Sequence, residues 1–193
     1  MRNRLIVVLW LLLLAVVVPA IGGNSFLSVK RMNNKLIPII RGDYADPSIM
    51  RDGKDYYMTH SSFDYLPGLT ILHSTDLVNW TPISYVLKER LGSVWAPDIT
   101  KYGDKYYIYF TVSGRPSGGN YVVWADSPLG PWSEPINLNV KHIDPGHAVG
   151  EDGKRYLFLS GGHRVKLTDD GLATDGPIEK VYEGWTFPED WVV

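Results

Sequence analysis

Three observations in this 193-residue chain predict an all-β fold made of repeated four-stranded units. First, one motif returns at a nearly fixed interval. Ala45-Asp46-Pro47-Ser48-Ile49 leads to Gly53-Lys54-Asp55-Tyr56-Tyr57, Trp95-Ala96-Pro97-Asp98-Ile99 to Gly103-Asp104-Lys105-Tyr106-Tyr107, and Ile143-Asp144-Pro145-Gly146-His147 to Gly153-Lys154-Arg155-Tyr156-Leu157. Gly53, Gly103 and Gly153 stand fifty residues apart, as do Tyr56, Tyr106 and Tyr156. Second, each copy runs from a carboxylate beside a proline, through an Asp-Gly-Lys or Gly-Asp-Lys turn, into an aromatic and β-branched run, the pattern of strand, tight turn and strand. Third, no segment after the leader keeps a helical period. A unit of about fifty residues holds roughly four short strands, the size of a propeller blade.

The leader is a different kind of sequence. Met1-Arg2-Asn3-Arg4 is basic, residues 5–18 are an unbroken apolar run, and Pro19-Ala20-Ile21-Gly22-Gly23 is small and turn-prone. That is a secretory signal peptide over residues 1–23, too short for the ~20 residues of a spanning helix. The expected location is secreted or periplasmic, with no membrane contact after cleavage. Residues 24–193 then form an incomplete propeller, with blades at about 36–90, 91–140 and 141–193.

Composition narrows the function classes. Hydrophobic residues make up 45% and charged residues 21%, which suits one globular core. A net charge of -2 and a pI near 6.2 give no electrostatic reason to bind nucleic acid. Without cysteine there are no disulfides and no thiolate chemistry, so stability rests on packing. Seven Trp and twelve Tyr supply faces that pack a β core and also stack on sugar rings.

In the first unit Asp52-Gly53 is the expected hairpin turn, residues 56–60 the second strand, residues 61–68 a loop and residues 69–74 the third strand. Pro38 makes residues 35–40 an edge or a lead-in. In the second unit residues 106–112 are strongly β-prone, and the glycine-rich segment 113–120 is a flexible hairpin loop. It lacks the lysine, threonine and following helix of a phosphate cradle. The third unit continues through residues 155–160 and 164–167.

The inner strand of every propeller blade lines the axial channel, so an acid repeated there faces its counterparts. Asp46, Asp98 and Asp144 precede their repeat glycines by seven, five and nine residues, all odd. If each segment stays extended, the three side chains share one face. Clustered carboxylates suit glycoside hydrolysis, in which one acid protonates the leaving oxygen while another activates water. A lone Asp beside Pro would be a turn residue, but three in register with Trp95 beside them point to a site.

Taken in order, Ala45-Asp46-Pro47-Ser48-Ile49, residues 61–68 (Ser-Ser-Phe-Asp-Tyr-Leu-Pro-Gly), residues 73–80 (His-Ser-Thr-Asp-Leu-Val-Asn-Trp), Trp95-Ala96-Pro97-Asp98 and Ile143-Asp144-Pro145 resemble the five-bladed β-propeller enzymes of glycoside hydrolase family 43. The resemblance covers nearly the whole chain after the leader. It implies an inverting glycosidase of the arabinofuranosidase or xylosidase type, acting on pentose-containing plant glycans. Asp46 matches the general base. Asp144 matches the aspartate that orients the general acid and adjusts its pKa. Phe63 and Trp95 match walls of the sugar pocket, Asp98 belongs to the same pocket motif, and His147 is read as a pocket or turn residue.

The family's general acid is a glutamate on the inner strand of the fourth blade. Extending the repeat places it at about 194 to 199, past Val193, so the expectation is a fragment with little activity of its own. Glu183 and Glu189 fall outside the register. No cofactor is required. A calcium ion can occupy the family's channel axis, but blades outside this chain help build that site, and His142, Asp144 and His147 do not form a recognised zinc pattern. Missing blades leave strand edges open to self-association. The competing readings are a fructan-cleaving five-bladed glycosidase and a propeller fragment that binds glycans without cleaving them.

Overall fold

The computed structural model describes residues 38–114 and 118–183. The leader, the tether that follows it, Arg115-Pro116-Ser117 of the glycine-rich loop, and Glu189 lie outside the described residues.

Three four-stranded antiparallel sheets follow one another along the chain. The first contains β1 (Ser48–Asp52), β2 (Asp55–Thr59), β3 (Gly68–Ser74) and β4 (Thr81–Leu87). The second contains β5 (Ser93–Tyr102), β6 (Lys105–Ser113), β7 (Gly119–Ala125) and β8 (Ile136–Asn137). The third contains β9 (Gly146–Val149), β10 (Arg155–Leu159), β11 (His163–Lys166) and β12 (Glu179–Lys180). Each sheet pairs its strands in sequence order, the up-and-down arrangement of a propeller blade.

Turn chemistry fixes the first hairpin of each blade. Asp52 pairs with Asp55 and Tyr102 with Lys105, so the loops are the two-residue segments Gly53-Lys54 and Gly103-Asp104. Gly53 and Gly103 take φ of 61° and 60°, the left-handed conformation that such loops demand and glycine adopts without strain. The third hairpin is longer, because Val149 pairs with Arg155 across residues 150–154. There the Gly150 N–H donates to the Lys154 carbonyl at 2.9 Å.

The blades pack face to face through strand alternation. On β3, Leu69 and Ile71 are buried against Val94, Ile99, Ile108 and Phe110 of the second blade. β6 serves two cores at once: Tyr106, Ile108, Phe110 and Val112 face the first blade, whereas Tyr107 and Tyr109 join Leu157, Leu159, Val165 and Leu167 of the third. Fully burying one such aliphatic side chain contributes about 1.5–3 kcal/mol. The inner strands β1, β5 and β9 stand next to one another in that order.

The extended-chain condition behind the same-face expectation is not met. Asp46 and Asp144 take φ of 50° and 59°, and a bulge shifts the register between Trp95 and Asp98, with Ala96 at φ 40°. Left-handed residues thus occur at or just before the inner strand of every blade, among them Asp46, Ala96 and Asp144. A bulge or a left-handed kink re-aims the side chains that follow it, so counting residues no longer gives their direction.

Candidate functional site

Two lateral links hold the inner strands of the first two blades in step. Ser61, at the end of the first hairpin, donates from Oγ to Asp46 Oδ2 at 2.5 Å and accepts the Ala96 N–H at 2.7 Å. Two residues further along both strands, Ser48 Oγ donates to Asp98 Oδ1 at 3.2 Å and accepts the Ile99 N–H at 3.1 Å. The same offset at both levels means that β1 and β5 run side by side in one direction.

The loop after β2 brings the proposed sugar-stacking residues beside this edge. Phe63 and Val94 exchange two main-chain hydrogen bonds, each 2.9 Å, which places half-buried Phe63 next to the start of β5. Half-buried Trp95 follows Val94, and its indole N–H donates to Ser93 Oγ at 2.9 Å. Asp46, Phe63 and Trp95 are thus gathered around the Ser61 junction. The Asp46 carboxylate is exposed, and only its Oδ2 is taken by the serine.

Asp144 is exposed two residues before β9. Its neighbour Ile143 is fixed at both main-chain groups by Ser160, at 3.2 Å from the Ile143 N–H to Ser160 Oγ and 2.9 Å from the Ser160 N–H to the Ile143 carbonyl. Asp98 reaches the third blade as well, because its Oδ2 accepts the His147 N–H at 2.7 Å. Burial pushes the Asp98 carboxyl above the ordinary carboxylate range, against the pull of its hydrogen bonds from His147 and Ser48.

His147 is held from both sides. Its ring stacks on Tyr109 at 5.5 Å, nearly parallel, and its Nε2 accepts the Arg155 Nε–H at 3.0 Å, which leaves the ring proton on Nδ1. Burial first and the Arg155 charge second lower its pKa to about 4, so the imidazole is neutral near pH 7. Arg155 itself is 2% exposed. Its guanidinium lies 4.3 Å from the ring centres of both Tyr102 and Tyr107 and donates to Tyr109 Oη at 2.9 Å, and Tyr109 in turn donates to the Gly171 carbonyl at 3.0 Å.

Ser61, Tyr109 and Arg155 were not singled out from sequence. A signal for Arg155 existed, since strict alternation in Arg155-Tyr156-Leu157-Phe158-Leu159 puts it on the buried face with Leu157 and Leu159. Glu183 follows β12, the outermost strand of its blade, and pairs with Lys180 at 2.6 Å. Among the described residues no glutamate lies on β1, β5 or β9, and no three His, Asp, Glu or Cys side chains converge as a metal site. A cavity of about 860 Å³ opens beside the Ser61 junction, lined by Ser61 together with Tyr44, His60, Thr70, Leu72 and Trp80.

The model of the glycosyl hydrolases family 43 matches residues 36–193. The chain belongs to glycoside hydrolase family 43. Its sequence is 36% identical over 135 residues to a xylosidase/arabinosidase of Humicola insolens, covering 62% of this chain and 25% of that protein. It is 37% identical over 149 residues to a non-reducing-end α-L-arabinofuranosidase of Bacteroides ovatus, covering 71% and 27%. A family 43 crystal structure from Bacillus licheniformis superposes with a TM-score of 0.70 at 31% identity, covering 78% of this chain and 34% of that one. The chain thus spans about a quarter to a third of the length of these relatives, and its three sheets are blades of the five-bladed family 43 propeller.

Proposed function

We propose that this family 43 chain contributes the base-bearing part of a glycosidase that hydrolyses arabinose- or xylose-containing polysaccharides and oligosaccharides with inversion. The observation that carries this reading is the Asp46 carboxylate, exposed beside Phe63 and Trp95 and anchored through one oxygen by Ser61. The other oxygen is available to take a proton from water. In this reading Asp46 is the general base and Asp144 orients the general acid. Phe63 and Trp95 stack on the sugar, and Asp98 and His147 shape the pocket.

In this reading the general acid comes from outside the 193 residues, and the chain alone has little activity. The protein is exported, needs no cofactor, and meets plant-type pentose glycans rather than nucleic acid. Open blade edges in the 193-residue chain favour self-association, which size-exclusion chromatography would detect as concentration-dependent elution.

The test is release of p-nitrophenol from arabinofuranoside and xyloside substrates by this chain and by a version extended with two further blades. Activity confined to the extended form, abolished by Asp46→Asn, with inverted product by NMR, is the expected result. Retention of configuration would favour the fructan-type reading, and glycan binding without hydrolysis in the extended form would favour a binding module.

A further inference from the structure

We infer that Asp98 is a positioning residue that fixes the starts of β1 and β9, which directly follow Asp46 and Asp144, relative to each other. The inference rests on the reading of those two aspartates as the working pair, and it replaces a direct contact between Asp98 and the sugar.

The three inner strands belong to three different sheets and share no main-chain ladder. Asp98 supplies a link in its place. One oxygen accepts Ser48 Oγ at 3.2 Å, two residues after Asp46, and the other accepts the His147 N–H at 2.7 Å, three residues after Asp144. Both oxygens are therefore engaged between strands and turned toward protein donors. The third-blade anchor is rigid, because His147 is clamped between the Tyr109 ring and the buried Arg155 guanidinium. A continuous polar path runs from Ser48 through Asp98, His147, Arg155 and Tyr109 to the Gly171 carbonyl, crossing all three blades.

A carboxylate in this position sets a distance. Charge-assisted hydrogen bonds are short and directional, so loss of either shifts one strand start against the other. A misplacement of about 1 Å at a reacting centre costs roughly 100-fold in rate without requiring a change in binding.

The decisive comparison uses Ser48→Ala, Asp98→Asn and, as a control on a surface interblade pair, Lys101→Ala. Carboxyl carbon-13 resonances of Asp46 and Asp144, and the His147 amide proton, are recorded on the 193-residue chain by NMR. The expected result is displacement of both carboxyl resonances in Ser48→Ala and Asp98→Asn, an upfield move of the His147 amide proton in Asp98→Asn, and no such change in Lys101→Ala. In the extended enzyme both test variants should lose roughly 10–100-fold in kcat, with KM within about 2-fold.

Unchanged Asp46 and Asp144 resonances in folded Asp98→Asn would overturn the inference. A silent Ser48→Ala together with a raised KM and preserved kcat in Asp98→Asn would also overturn it, in favour of a sugar contact. If Asp98→Asn does not fold, the same resonances in Ser48→Ala decide. Full activity in Asp46→Asn would remove the catalytic reading alone, leaving the resonance comparison to judge Asp98.

Discussion

The Ser61 hydroxyl donates to Asp46 at 2.5 Å while accepting the Ala96 N–H, so the proposed base is oriented by a residue from the loop after β2 and steadied by the neighbouring blade. Ser61→Ala should therefore lower kcat of the extended enzyme by roughly 10-fold, because the carboxylate regains rotamer freedom. Asp46→Asn should lower it by about 10²–10⁴-fold. Steady-state kinetics on one pentoside substrate would order the two, and equal losses would contradict an orienting role for Ser61.

Phe63 and Trp95 are half-buried beside that junction. If they stack on the sugar, each alanine variant forfeits about 0.5–1.5 kcal/mol beyond lost area, a rise in KM of roughly 3- to 10-fold with kcat less affected. Binding of xylose and arabinose followed by tryptophan fluorescence gives a second readout for Phe63→Ala. An unaltered KM in both variants would remove them from the sugar pocket.

Acid should weaken the fold through His147. Its folded pKa of about 4 lies below the usual 6.5, so the unfolded chain takes up a proton first as pH falls. The contribution is intact above about pH 6.5, is lost progressively toward pH 4, and then levels off, a change of about 2 kcal/mol after allowance for partial exposure. Asp98 opposes this near the lower end, since burial raises its pKa and the folded form protonates first. Urea unfolding at pH 7 and pH 4.5 should show a smaller difference in His147→Gln than in the parent chain.

Gly171→Ala should destabilise by about 1–3 kcal/mol. Gly171 takes φ of 74°, and a Cβ there would overlap the Arg155 guanidinium, whose position is set by Tyr102 and Tyr107. Arg155→Lys should cost a comparable amount, because an ammonium cannot reproduce the planar fork. Thermal unfolding followed by circular dichroism measures both, and an unchanged Tm in Gly171→Ala would show that the guanidinium is free to move.

The fold was legible because each blade writes itself locally. Gly53 and Gly103 announce tight hairpins, and the alternation around Ile108 and Leu157 announces strands with a buried face. Only local details moved, with Gly53-Lys54 rather than Asp52-Gly53 as the loop and a longer turn at residues 150–154. For the candidate site the sequence offers residues such as Asp46, Asp98 and Asp144, but not their arrangement. Parity counting assumes extended backbone, and the left-handed Asp46, Ala96 and Asp144 break it. The roles of Ser48, Ser61 and Arg155 depend on contacts between blades, with partners such as Asp98, Ala96 and Tyr109 that no local pattern encodes.

The middle sheet is the one described blade covered on both faces, and seven consecutive residues of β6 are buried, from Tyr106 to Val112. Opening β6 to solvent requires both neighbours to come away, whereas β4 and β12 lie at sheet edges and can fray alone. Amide hydrogen exchange should accordingly be slowest along β6 and the facing part of β7, and should quicken outward in both chain directions. Residues that anchor to β5 and β6, such as Asp98 and Tyr109, would keep their order longest. The loop bearing Ser61 would inherit the faster breathing of the first blade, leaving the proposed base, Asp46, on the more yielding side of the candidate site.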